Sequence, residues 1–260
     1  MKNRTKNEIL KIWQKNIYNK ELSQSQLNNN FSGKSGNLLE IAFGLKVNNE
    51  NKSDFIDFEL KLYSSIITFG DWKGIYLWEI NQNISRNDFL RFFGHYNKIK
   101  KNYYFTGPLY FGEISKRGFY WELKRNRLNL CYNSLEDSKQ YLVPKKFQTI
   151  LILVTWNIKD LKTKYLNKFS GNIILAKKIK GIHKKLLIIN NISWNNFLFK
   201  FKNNIIKFDP CVSTKCFRNR SLFRIPTNFL LSLGYKEYSI VNNKLLKKTF
   251  NCSEKELLDA

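Results

Sequence analysis

Acidic residues are scarce in this chain, and a few of them stand where they could do chemistry. Glu59 and Lys61 lie two positions apart in the run Asp57-Phe-Glu-Leu-Lys61, and Asp54 lies just upstream. Residues 55–63 alternate in polarity, so Asp57, Glu59 and Lys61 share one face of an extended strand. Phe58, Leu60 and Leu62 share the other. Two carboxylates (Asp54, Glu59) and the carbonyl of residue 60 form an all-oxygen set that suits Mg²⁺. An ion held there polarises a phosphodiester and acidifies water. Lys61, on the same face, can orient or deprotonate that water, or stabilise charge on the phosphate. Glu40, on a helix beside the strand, can hydrogen-bond Lys61 or solvent around the ion.

An E-x-K triplet is common in a charged chain, and by itself it ordinarily marks a solvated strand face. Asp57 is a second candidate for the upstream carboxylate. Asp54 is preferred, because a residue from an adjacent turn approaches an ion from a different direction. Other motifs carry less. Gly33-Lys34-Ser35 lacks the upstream glycine and preceding strand of a nucleotide-binding loop. Cys211 and Cys216 have no second pair or nearby histidine to complete a zinc site. His95 reads as structural and His183, in a lysine-rich stretch, as a surface residue.

The elements that must position Glu40, Asp54, Glu59 and Lys61 follow from local patterns. Thr5 and Glu8 form a capping box for a helix over 5–20. A polar, glycine-containing stretch then feeds a second helix over 38–45. Residues 74–80 and 149–155 read as strands, the latter central. Residues 119–124 and 128–132 read as a hairpin around an Arg-Asn turn. Ser85 caps a helix carrying Phe89, Leu90, Phe92 and Phe93. Pro226 and Gly234 bracket another, with a strand returning over 238–241. The expected fold is mixed α/β (α+β), a mixed central sheet flanked by helices. It forms one domain over 1–260, with a two-lobed clamp as an allowed variant.

The 260 residues carry 45 Lys+Arg against 20 Asp+Glu, a formal charge of +25. With 43% hydrophobic and 15% aromatic residues this is no disordered tail, and such an excess calls for a polyanion, nucleic acid first. The charged opening residues lack the apolar core of a secretory signal, and no apolar run approaches membrane-spanning length. A cytoplasmic protein with reduced thiols and no membrane partner is expected. Basic residues cluster at 98–101, 116–117, 124–127, 177–185 and 215–224. Such clusters grip phosphates, whereas planar donors in the major groove read bases.

The segment Gly33-x-x-Gly36-x-Leu38-Leu39-Glu40, followed by Asp54, Glu59 and Lys61, resembles the PD-(D/E)xK nuclease superfamily. The similarity is to the branch containing MutH and the restriction endonucleases MvaI and BcnI. Residues 38–44 resemble the MutH catalytic helix, and residues 222–234 are similar to the C-terminal strand–helix of the MvaI group. Ser53 stands where the superfamily has its proline. The resemblance implies a restriction-endonuclease-like fold and Mg²⁺-dependent hydrolysis of double-stranded DNA at a short specific sequence. Asp54 and Glu59 would bind metal, Lys61 would handle the water and Glu40 would support them. The catalytic lobe would lie mainly within 30–160 and recognition within 175–245. Lys215, Arg218, Asn219, Arg220 and Arg224 would contact DNA there, and Lys34 and Ser35 would touch it from the glycine loop. The branch also implies a monomer, working beside a cognate DNA methyltransferase that is not a bound subunit. A MutH-like repair nicking enzyme and a non-catalytic nucleic-acid-binding protein are the alternatives.

Overall fold

The computed structural model describes residues 4–22, 34–45, 53–55, 57–106, 110–169, 171–190, 192–214 and 219–251. The chain opens with α1 (Lys6–Asn16) and α2 (Lys34–Ala42), then β1 (Phe58–Leu62), β2 (Ile66–Asp71) and β3 (Ile75–Tyr76). Helices α3 (Leu77–Ile80) and α4 (Arg86–Phe93) lead to β4 (His95–Asn97), β5 (Asn102–Thr106), β6 (Arg117–Lys124) and β7 (Arg127–Asp137). Next come β8 (Ile150–Asn157), α5 (Ile158–Phe169), β9 (Asn172–Ile179), β10 (Ile182–Ile189) and α6 (Trp194–Lys202). The chain closes with β11 (Lys207–Ser213), β12 (Arg220–Pro226), α7 (Thr227–Ser232), β13 (Tyr235–Val241) and β14 (Lys244–Phe250).

The fold is mixed α/β, as expected, but its strands are divided among three sheets rather than gathered in one. The chain forms two compact units, each discontinuous in sequence. Unit 1 comprises Met1–Ile67, Tyr165–Ser193 and Pro226–Ala260; unit 2 comprises Thr68–Lys164 and Trp194–Ile225. The span 30–160 is therefore shared between the units, and so is 175–245.

Unit 1 is built on the sheet β1-β9-β10-β13-β14, with β1 at one edge, parallel to β9, and the remaining pairs antiparallel. The Thr5 capping box starts α1 as the sequence specifies, satisfying orphan amides in the first turn. Ile9, Leu10 and Trp13 of α1 join Leu39 and Phe43 around α2, Phe58 and Leu60 of β1, and Ile174 and Leu186 in one apolar core. Helix α2 begins four residues before the expected position.

Unit 2 holds the sheets β2-β12-β11-β5-β4 and β3-β8-β7-β6. The expected hairpin is β6 and β7, and the 149–155 run is interior strand β8. Its core is aromatic, with Phe208 stacked on Phe223 (3.9 Å between centroids) and on Trp121 (4.7 Å). Residues 74–80 depart from the strand expectation. Only Ile75 and Tyr76 pair with β8 before the chain turns into α3. That turn buries Trp78 against Phe89 of α4 at 4.5 Å, and packing there overrides local strand propensity.

His183 also departs from expectation. It lies in β10, 1% exposed, at a bulge in the pairing with β9, and its carbonyl accepts the Asn19 amide at 2.8 Å. Strand alternation turns it inward although its neighbours are lysines. Burial, helped by the Lys178 charge, lowers its pKa to about 4. The unfolded chain then takes up a proton below pH 6.5 that the folded chain refuses until about pH 4, so this group removes stability as pH falls through that window. Between pH 7 and 5 the loss comes to about 2 kcal/mol. Denaturant melts at the two pH values, on the wild type and on His183→Leu, should differ by that pH-dependent increment.

Candidate active site

Strand β1 carries the two central residues, and its position at the sheet edge decides what surrounds them. Edge strands leave alternate backbone groups without a ladder partner. The Leu60 amide is one of these, and Asp54 Oδ2 accepts it at 2.8 Å. A tight turn makes this contact, with the Phe55 amide donating to the Phe58 carbonyl at 3.0 Å and folding Asp54 back beside β1. The carbonyl of Leu60 points to the same open edge as its amide, the edge on which Asp54 docks. Asp57 is exposed, and its carbonyl instead accepts the Asn172 amide at 2.7 Å, which starts the β1–β9 pairing.

Glu59 is not a solvated strand residue. It is 1% exposed, and its Oε1 accepts a hydrogen bond from Lys61 Nζ and is ion-paired to Lys168 Nζ at 3.2 Å. A buried carboxylate stays ionised only where cations and donors replace its lost water. Its Oε2 has no hydrogen-bond partner. Burial raises the Asp54 carboxyl to about 6, and the nearby Glu59 charge adds to the rise. Burial likewise lifts Glu40, half-buried on α2, to about 7, helped by the Asp54 charge. Burial alone would depress the Lys61 ammonium, but the Glu59 and Asp54 carboxylates outweigh it and hold its pKa above the ordinary value.

The structure thus brings together all four expected residues, Glu40, Asp54, Glu59 and Lys61, and adds Lys168. Lys168 is in the last turn of α5, 13% exposed, and the Asn167 carbonyl beside it accepts the Ser53 amide at 3.3 Å. One helical turn therefore holds both the Asp54 loop and Glu59. The sequence signal for Lys168 is slight. It borders the buried stripe of Tyr165 and Phe169, where a lysine with a polar destination can sit, and it lies 107 positions beyond Lys61.

The donor set fits a hard divalent cation. It is all oxygen, one of its buried oxygens lacks a partner, and its carboxylates crowd one another. Among the described residues no three His, Cys, Asp or Glu side chains form a metal cluster, so two carboxylates, a carbonyl and solvent would have to suffice.

The expected DNA-contacting residues are placed less uniformly. Lys34 begins α2, and Ser35 is exposed on it. Lys215 and Arg218 lie outside the described residues. Asn219 is half-buried and Arg220 begins β12. Arg224 is ion-paired to Asp209 at 2.9 Å, where Thr106 also donates to that carboxylate. Within the 116–117 cluster, Arg117 is taken up by the Asp137 carboxylate at 2.8 Å and by the carbonyls of Phe92 and Gly94. It is a buttress between α4 and β7.

With this geometry in view, the comparisons define first a class and then a family. The family model for the LlaMI restriction endonuclease matches residues 18–195, which is more than half the chain and includes Glu40, Asp54, Glu59, Lys61 and Lys168. The class is that of nucleases acting on DNA as type II restriction endonucleases. The chain belongs to the LlaMI restriction endonuclease family. Among solved structures, restriction endonuclease MvaI in the absence of DNA matches with a TM-score of 0.44 and 15% identity, over 96% of this chain and 99% of that one. No curated protein sequence matches.

Gly171 seats the site. A Cβ built on it would meet the Asp57 carbonyl oxygen at 2.0 Å, so the backbones of β1 and the β9 entry touch where only glycine fits. Gly171→Ala should push them apart and cost on the order of 2–3 kcal/mol in denaturant melts. The conservative substitution Ser35→Ala, on an exposed position, should leave the melt within about 0.5 kcal/mol of wild type.

Proposed function

We propose that this chain is a Mg²⁺-dependent type II restriction endonuclease that hydrolyses double-stranded DNA at a short specific sequence. It would act as a cytoplasmic monomer, with a separate methyltransferase protecting the host sites. The observation that carries this reading is the buried Glu59 carboxylate, bound on one oxygen by Lys61 and Lys168 and unpartnered on the other, beside Asp54.

In this reading the Asp54 and Glu59 carboxylates and the Leu60 carbonyl would hold the cation. When bound, that ion polarises the scissile phosphate and makes water easier to ionise. Asp54 keeps Oδ2 on the Leu60 amide, which fixes the carboxylate plane while its other oxygen stays available. Lys61 has its ammonium at the Glu59 end of the same strand face, where it orients the attacking water and offsets charge developing on phosphate oxygens. Glu40, in the electrostatic field of Asp54 and Lys61, anchors the water network on the helix side. Lys168 is a positioning residue. It holds Glu59 from α5 and keeps that carboxylate aligned. Membership in a restriction family favours restriction over the repair-nicking alternative.

Purified protein incubated with plasmid and Mg²⁺, followed by sequencing of the ends, should yield defined termini within one short sequence. Glu59→Ala and Lys61→Ala should each cut about 10²–10⁴-fold more slowly while binding DNA in EDTA as wild type does. Normal cutting by Lys61→Ala would remove it from the mechanism. Salt-dependent binding with no cutting by the wild type would favour the non-catalytic alternative. Lys168→Met removes an ammonium that competes with a dication for Glu59. Its affinity for Mn²⁺, read by equilibrium dialysis, should rise about tenfold. Unchanged affinity would separate Lys168 from the metal ligands.

A further inference from the structure

The β6–β7 hairpin of unit 2 ends in a feature that the cutting chemistry does not use. Lys124, Arg125 and Arg127 stand exposed at its tip and line a cleft of about 610 Å³. The cleft also takes in Asn129, Thr155 and Asn157, with no acidic side chain in its lining. None of the three cations forms an ion pair with a described acidic residue. This contrasts with Arg117 and Arg224, whose charges are spent on Asp137 and Asp209.

The walls are built rather than incidental. Thr155 donates to Asn129 Oδ1 at 2.7 Å, and Asn129 Nδ2 donates to Glu122 at 3.1 Å, a chain across three strands that ends on a carboxylate. The Ile158 amide donates to the Asn126 carbonyl at 2.9 Å and pins the turn to the start of α5. Arg125 sits at φ 53°, in the left-handed region, at the first central position of a two-residue turn. Glycine takes such a position without a Cβ clash, and an arginine there carries local strain. The left-handed backbone is shared with Lys101 and Lys180; what sets Arg125 apart is its place, with Lys124 and Arg127, at the rim of a cleft lined by no carboxylate.

We propose that this hairpin grips the phosphodiester backbone of duplex DNA, with Arg125 and Arg127 each neutralising a phosphate and Lys124 adding to the local field. The inference rests on the nuclease reading for the identity of the polyanion, and it assigns holding to residues outside the 215–224 segment. Backbone contact, rather than base reading, follows from the chemistry at the tip. Three long exposed cations offer point charges and forks to phosphates, while Thr155 and Asn129 on the floor are bonded to each other and to Glu122.

The test uses full-length Glu59→Ala protein in EDTA, so that binding is read without cutting, by fluorescence anisotropy on two unrelated duplexes between 50 and 200 mM salt. Adding Arg125→Gly and Arg127→Ala should lower affinity about tenfold or more on both duplexes. It should also reduce the magnitude of the log–log salt slope by about 2. Arg125→Gly alone should melt no lower than its parent, since it relieves the turn, while still losing about one unit of slope. A matched charge loss on exposed β14, Lys244→Ala with Lys248→Ala, should leave the slope unchanged. An unchanged slope in the hairpin variant, an equal loss in the β14 variant, or a loss on one duplex only would each overturn the assignment. Failure of the wild type to cut plasmid tests the nuclease reading separately, because the binding experiment contains no cleavage step.

Discussion

A carboxylate buried to 1% exposure is the constraint on which the rest of unit 1 depends. Removing Glu59 from water costs several kcal/mol unless charge of opposite sign replaces the lost hydration. Lys61 supplies part of it from the same strand, and Lys168 supplies the rest from α5. Both lysines bind the same oxygen. The other is left with nothing to accept, an expensive arrangement for structure alone and a useful one for a cation-dependent reaction.

Edge position makes this arrangement accessible. Were β1 interior to its sheet, the Leu60 amide and carbonyl would be consumed by a ladder partner and Asp54 would have no place to dock. As the terminal strand, parallel to β9, it spends one side on pairing and keeps the other for the site. The Gly171 contact and the Asn167–Ser53 hydrogen bond hold β1 and the Asp54 loop against the segment running from α5 into β9. The candidate side chains therefore rest on a strand and a short helical turn, the kind of supports that keep groups in fixed geometry.

Charge divides into two kinds in this molecule. Arg117, Arg224, Lys61 and Lys168 are committed to carboxylates and hold parts together. The hairpin cations at 124, 125 and 127 form no ion pair among the described residues, and they are free to meet a polyanion. The sequence clusters do not separate the two kinds, since the 116–117 and 215–224 stretches look as basic as the hairpin. Only the location of a facing aspartate distinguishes a buttress from a grip.

What the chain's order of residues determined by itself was the local chemistry. Strand alternation put Glu59 and Lys61 on one face, a capping box started α1, and a serine cap started α4. The spacing of Glu40, Asp54, Glu59 and Lys61 carried a resemblance that family membership then supported. These features were legible because their causes act within a few residues. The burial of Glu59, the arrival of Lys168 from 107 positions downstream, the inward turn of His183 and the bending of residues 74–80 into α3 were not legible. Each is decided by which distant surface packs against the segment, and one-dimensional periodicity holds no record of that partner. Tertiary structure alone turned a common triplet on a strand into a desolvated, doubly paired carboxylate beside a second one, because desolvation belongs to the packed molecule and not to the sequence around it.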